Sequence, residues 1–302
     1  MQYNEQSKFI LTPTSNILQD TVNACKGVGQ GIETQSLGEY VLQTTFLKMT
    51  GASEQKLKCI CWEMATRDYG YRYQYLKKNY GECSAYADKN SIYKDLMDRI
   101  LAMNPAFSVT LLFDDIDISL KESELIEKKI KETQKKQEDK KKRPLTADEA
   151  QRLSEGMKKH FAKNGLCEKE KANFARMVLF EDIQTQLEKI IGNSLVAQWE
   201  HHNYQNYIQR WKTLAGNSFA QGDMLLNKDL QELYTDIVYV HRNRCAHNLV
   251  SFQNNLPTLK TLMNERFVFD NYYFRFSILI LLDEVFVRLY RSYLKAIEME
   301  CC

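Results

Sequence analysis

A chain of 302 residues, 44% hydrophobic and 26% charged, can bury a large core in one or two domains, which excludes disorder of the whole chain. A formal net charge of only +2 excludes a global field for polyanions, so any nucleic-acid contact must come from a local patch. With only 4 Pro and 12 Gly to punctuate many good helix formers, the composition predicts an all-α fold.

Met1–Gln19 is polar and lacks the apolar core of a secretory leader. Near the other end, the apolar run Phe276–Leu282 is far shorter than the roughly 20 residues that span a bilayer. The expectation is a cytoplasmic protein with no membrane partner. The cysteines, Cys25, Cys59, Cys61, Cys83, Cys167, Cys245, Cys301 and Cys302, lack the paired spacing of a zinc site and read as reduced, mostly buried thiols.

Lys26–Gly31 is glycine-rich, but no Gly-Lys-Ser/Thr follows and no buried strand precedes, so it reads as a flexible turn. Leu37–Met49 is amphipathic, and Ser53 before Glu54 predicts the capped start of a second helix running to Tyr69. Tyr69, Tyr71, Tyr73 and Tyr75 then alternate as in a strand, yet the helical run before them favours a helix continuation. Tyr71, Tyr73 and Tyr75, with Arg72, Lys77 and Lys78, could stack on bases and neutralise phosphates, although a half-buried helix face is the favoured reading.

Ser119–Arg143 is almost entirely charged, a long solvated helix stopped by Pro144. Thr146 with Glu149 forms a capping box for the next helix, and Gly165 closes it, which predicts a charged helical hairpin. Helices follow near Glu168–Ile191, Ser194–Leu214, Asn227–Val250 and Asn264–Ile297, with breaks at Gly192, Gly216 and Pro257, the pattern of an up-and-down bundle. The expected organisation is an N-terminal helical region over 1–110, the charged hairpin over 111–165 and the bundle over 166–302. His201 and His202 have no ligand one turn away and read as surface residues. Asp114, Asp115 and Asp117, like Asp283 and Glu284, lack the partner carboxylates of a two-metal nuclease, so no metal or other cofactor is expected.

The third bundle helix contains Arg242-Asn243-Arg244-Cys245-Ala246-His247-Asn248. At about 100° per residue, Asp236, Val240, Asn243 and His247 share one face, beside an apolar stripe of Leu230, Leu233, Ile237, Val240 and Arg244. Arg242 lies about 140° around from His247 and meets it only through its long side chain or with a second copy of the helix.

This string resembles the motif of HEPN-family ribonucleases: an Arg, a polar residue, three further residues and a His on a helix of a small bundle. Composition alone would yield an Arg-to-His pair at this spacing about 0.2 times. The resemblance extends to abortive-infection proteins and RNA-targeting CRISPR effectors and covers about Glu168–Ile297. It implies a metal-independent endonuclease that leaves 2′,3′-cyclic phosphate and 5′-hydroxyl ends, with Arg242, Asn243 and His247 as catalytic residues. A histidine can move the 2′-hydroxyl or leaving-group proton, and a guanidinium stabilises charge on the phosphoryl oxygens. Arg244 and Asn248 are candidate substrate contacts, and Asp236 an orienting carboxylate. The family pairs its motif helices, so a chain with one motif is expected to form a homodimer, with Tyr234, Val238 and Phe274 as candidates either for the contact surface or for the core. The implied partners are RNA, tRNA or mRNA among them, and an antitoxin or regulator. A non-catalytic RNA- or nucleotide-binding module and a helical scaffold are the alternatives.

Overall fold

Gly51 does not end a helix. In the computed structural model, α3 runs unbroken as Gln35–Arg67, 33 residues that carry the predicted first and second helices through Gly51 and a buried Ser53. The structure describes residues 4–29, 31–77, 81–192, 194–199, 219–247 and 269–300. Before α3 stand α1 (Glu5–Leu11), capped by the Asn4 side chain, and α2 (Ser15–Ala24), which ends in the turn at Gly27. The actual break comes at Asp68, whose backbone is extended and whose carboxylate accepts from Tyr71 N at 2.9 Å. That cap starts α4 (Tyr69–Lys77), so the alternating tyrosines are helical, as expected, but on a separate helix.

After α5 (Tyr86–Met103) comes the charged hairpin of α6 (Glu122–Lys141) and α7 (Ala147–Asn164). Thr146 Oγ1 accepts from Glu149 N at 3.3 Å and Glu149 Oε2 accepts from Thr146 N at 3.1 Å; Gly165, at φ 65°, closes the helix. Leu125, Phe161, Leu166, Phe174 and Val178 form a small apolar cluster that fastens the hairpin to α8 (Glu168–Ile191). Of the helix expected over Ser194–Leu214, the described part is α9 (Leu195–Trp199); His201 and His202 lie outside the described residues.

One short sheet interrupts the helices. Strands β1 (Phe219–Gln221) and β2 (Met224–Leu226) pair antiparallel around Gly222-Asp223, with Phe219 opposite Leu226. The sequence signal was there, since Gly-Asp between two short apolar runs is a two-residue hairpin turn, and Gly222 takes the positive φ such a turn needs. Side chains of α5 complete its hydrogen bonding: Tyr86 Oη to Leu226 O at 3.1 Å and Tyr93 Oη to Gly222 O at 3.0 Å. The helix predicted from Asn227 follows as α10 (Lys228–Leu233), a π turn (Tyr234–Tyr239) and α11 (Val240–His247).

The last helix, α12 (Tyr272–Glu300), begins at Asn271, whose side chain accepts from Phe274 N at 2.9 Å. It is buried on nearly all sides, so the apolar run Phe276–Leu282 is the centre of the core, wrapped by α3, α5 and α8. One apolar cluster extends from Ile10 to Ile297 and joins N-terminal to C-terminal helices. Tyr234, Val238 and Phe274, candidates for either a dimer contact or the core, belong to that cluster and are core: they are covered within the chain itself and offer no surface to a second copy. The fold is mostly helical, and among the described residues no helix is long and apolar enough to cross a membrane.

Candidate functional site

Three charged side chains, Glu54, Lys56 and Glu63, lie buried on α3 among apolar neighbours such as Leu57, Ile60 and Met64. Burying a charge is costly unless a partner meets it. Lys56 meets Asp283 of α12 at 2.6 Å. Glu54 meets Arg242 of α11: Arg242 Nε donates to Oε1 at 3.2 Å and Nη2 to Oε2 at 3.1 Å, a two-edged pair between side chains 20% and 12% exposed. The remaining edge donates from Nη1 to Asn243 Oδ1 at 3.3 Å. The plane of the guanidinium is thereby fixed by two helices, which a lysine could not reproduce.

More charge surrounds this pair. Lys89 of α5 is fully buried and donates to Cys83 O at 2.6 Å; burial pushes its ammonium down to about 8, against the attraction of Glu54. Lys58 of α3 pairs with Glu82, and that contact, helped by the charge of Arg242, holds the Glu82 carboxyl below its ordinary range. Tyr234 Oη donates to Ser84 O at 2.8 Å, and burial raises its phenol. The segment from Glu82 to Ser84 is therefore pinned beside Arg242 from three directions.

The sequence motif thus divides. Arg242 stands between Glu54 and Asn243 and donates to both. Arg244 is exposed on the same helix. His247 is the last residue of α11; its side chain and the whole of Asn248 lie outside the described residues. Asp236 is exposed on the π turn, and Glu54 is a carboxylate that meets Arg242. Because the ladder over Tyr234–Tyr239 follows i→i+5 bonds, the regular 100° arithmetic applies within α11 but does not carry through to Asp236. Arg275 of α12 supports the turn, donating from Nε to Ile237 O at 3.4 Å and pairing with Asp270.

The neighbouring His241 has a packing role. Its ring lies 5.1 Å from Phe46 and 5.3 Å from Tyr272, with Nε2 3.1 Å from Tyr272 Oη and 3.4 Å from Cys245 Sγ. Burial, then the charges of Arg275 and Arg244, push it down to about 3, so it stays neutral and is no proton shuttle near pH 7.

Sequence reasoning missed Glu54, which it read as part of a helix start. The available signal was that Glu54, Lys56 and Glu63 stand interleaved with the apolar residues Leu57, Ile60 and Met64. Among the described residues, no three His, Cys, Asp or Glu side chains converge as metal ligands. Compared with known proteins, the chain matches no family model, no curated protein and no solved structure.

Proposed function

We propose that the chain is a HEPN-type RNA endonuclease, a toxin or anti-phage defence effector that cleaves RNA without a metal. The observation that carries this reading is the held guanidinium of Arg242, next to Asn243 and one helical turn and a half before His247. Among the described residues, Glu54 and Asn243 engage three of its five N–H donors, and the other two would meet a phosphate oxygen. In this role Arg242 stabilises the charge that gathers on the phosphoryl oxygens, and His247 moves a proton from the 2′-hydroxyl or to the 5′-oxygen. Asn243, one turn from His247, orients the imidazole or the phosphate. The exposed Arg244, with Asn248, contacts the RNA backbone. The helices from Glu168 onward form the HEPN-like bundle, and a homodimer brings two Arg242 and two His247 into one cleft, one histidine acting as base and the other as acid. A regulatory partner restrains the enzyme in the cell.

The test is cleavage of end-labelled RNA in EDTA by the wild type and by His247→Ala and Arg242→Ala. Wild type is expected to leave 2′,3′-cyclic phosphate and 5′-hydroxyl ends, and both variants to lose cleavage while remaining folded. Undiminished cleavage by either folded variant overturns the assignment. Mixing the two variants tests the dimer: partial recovery is expected, and a fully active monomer refutes it.

The same observation is compatible with a second reading. The Glu54–Arg242 pair ties α3 to α11 and serves a non-catalytic RNA- or nucleotide-binding module equally well. Arg242→Ala would then abolish binding with no cleavage by any form of the protein. A scaffold would show neither effect.

A further inference from the structure

Helix α4 turns aromatic and cationic side chains outward. Tyr69, Arg72, Tyr73, Leu76 and Lys77 follow one another at spacings of 3, 1, 3 and 1, which puts all five on one side of the helix. All five are exposed; Tyr69 is 83% exposed, Tyr73 62% and Leu76 76%. The opposite side carries the buried Tyr71 and the half-buried Tyr75, with ring centroids 5.9 Å apart. The four alternating tyrosines therefore divide into two that build core and two that stand outside it. Core packing accounts for Tyr71 and Tyr75 and leaves the outer pair unexplained, and clustered exposed apolar surface marks an interaction site.

Charge says what kind of partner fits. Within Tyr69–Lys77 there is no carboxylate, while Arg72 and Lys77 add two cations, and the Lys77 ammonium lies 4.2 Å from the centre of the Tyr73 ring. The lysines of α6, by contrast, alternate with Glu and Asp. Flat rings stack on unpaired bases and nearby cations meet the phosphates between them, which is the pattern of a single-stranded nucleic-acid surface. A duplex hides its base faces from such rings. In sequence the C-terminal end of α4 runs on to Glu82. From Lys77 to Glu82 the chain can span at most about 17 Å, and the Glu82 carboxyl feels the charge of Arg242.

We propose that the outer face of α4, built from Tyr69, Arg72, Tyr73, Leu76 and Lys77, is a stacking platform that binds single-stranded RNA and leads it to Arg242. The proposal rests on the ribonuclease reading for what happens to the strand, but the platform itself is tested by binding alone. The probe is a fluorescein-labelled oligouridine, titrated by fluorescence anisotropy in EDTA with the full chain carrying His247→Ala to prevent cleavage.

In that background, Tyr69→Ala with Tyr73→Ala is expected to weaken binding about tenfold or more, and the matching Phe changes to leave it within about twofold. Arg72→Gln with Lys77→Gln should reduce the slope of log affinity against log salt by about 1.4, since each phosphate contact on a single strand contributes about 0.7. Unlabelled duplex RNA should compete poorly. Affinity unchanged by the paired Tyr→Ala substitution overturns the platform, as does duplex competing as well as single strand. So does a variant that loses self-association in sedimentation while binding the probe normally, because the face would then join two copies of the chain. If wild type binds the probe through these tyrosines but never cleaves RNA, the platform stands and the ribonuclease reading falls. If it cleaves RNA and the tyrosine variant binds and cleaves as wild type does, only the platform falls.

Discussion

Glu54 and Arg242 show what a buried charge asks of its half-buried partner. Each would be a desolvated charge without its partner, so removing either should cost more than the net worth of the pair. Glu54→Gln and Arg242→Gln are each expected to lower unfolding free energy by about 2–4 kcal/mol, and the double variant by less than their sum, with a coupling of about 1–3 kcal/mol. Urea denaturation of the four proteins measures this, and additive losses would show that the two side chains do not interact. His241 contributes a pH dependence of known sign. Its folded form stays neutral down to about pH 3, while the unfolded chain takes up the proton near 6.5. Between those values the unfolded state binds more protons, so the stabilisation from His241 is complete above 6.5 and is lost as pH falls. His241→Gln should therefore lose roughly 3 kcal/mol less than wild type between pH 7 and pH 4. Equal losses would contradict the half-buried, neutral imidazole. At this scale the neighbourhood of Arg242 and Asn243 was legible, because they form a short string. Glu54 was not legible as the partner of Arg242, because 188 residues of sequence separate the two.

Among the elements, α3 separates what local signals say from what packing enforces. Gly51 and Ser53 look like a helix end and a new cap, but buried residues on both sides, Phe46 and Met49 before and Leu57 and Ile60 after, hold the helix through them. The two glycines of α3 then have opposite roles. A Cβ at Gly51 would meet nothing within 4 Å, so Gly51→Ala should raise stability by about 0.5–1 kcal/mol through helix propensity alone. At Gly38 a Cβ would come within 2.3 Å of the Trp199 ring, so Gly38→Ala should cost about 1–3 kcal/mol as the indole of α9 is pushed away. Denaturation midpoints of the two variants should move in opposite directions; movement in the same direction would mean that the long helix or its contact with Trp199 is misassigned. The predicted capping box at Thr146 and Glu149 is formed because its signals lie within four residues. The π turn before α11 carries no comparable local signal: its stabilising contact comes from Arg275, 38 residues beyond Ile237.

Across the whole molecule, Lys56 and Asp283 gather the two ends of the chain. Asp283 accepts from Lys56 and, at 2.8 Å, from Thr14 N at the start of α2, while Lys56 also donates to Thr12 O; one buried pair thus joins α2, α3 and α12. Asp283→Ala leaves an unmatched ammonium in the core and should cost about 3–5 kcal/mol, whereas Lys56→Met with Asp283→Leu should recover most of that loss. A double variant as unstable as Asp283→Ala would show that the hydrogen bond to Thr14 dominates over the ion pair. Composition by itself determined that the chain is helical: few Pro and Gly and many good helix formers leave little else. Short-range pattern also determined the charged hairpin and the motif string, since caps and helical repeats act over a few residues. Only the tertiary structure decided that α3 is one helix, that α12 is the buried axis, that Tyr234, Val238 and Phe274 are core, and that Glu54 meets Arg242. Those outcomes depend on which surfaces meet after the chain has closed long loops, and hydrophobic burial and charge pairing carry no address in the local sequence.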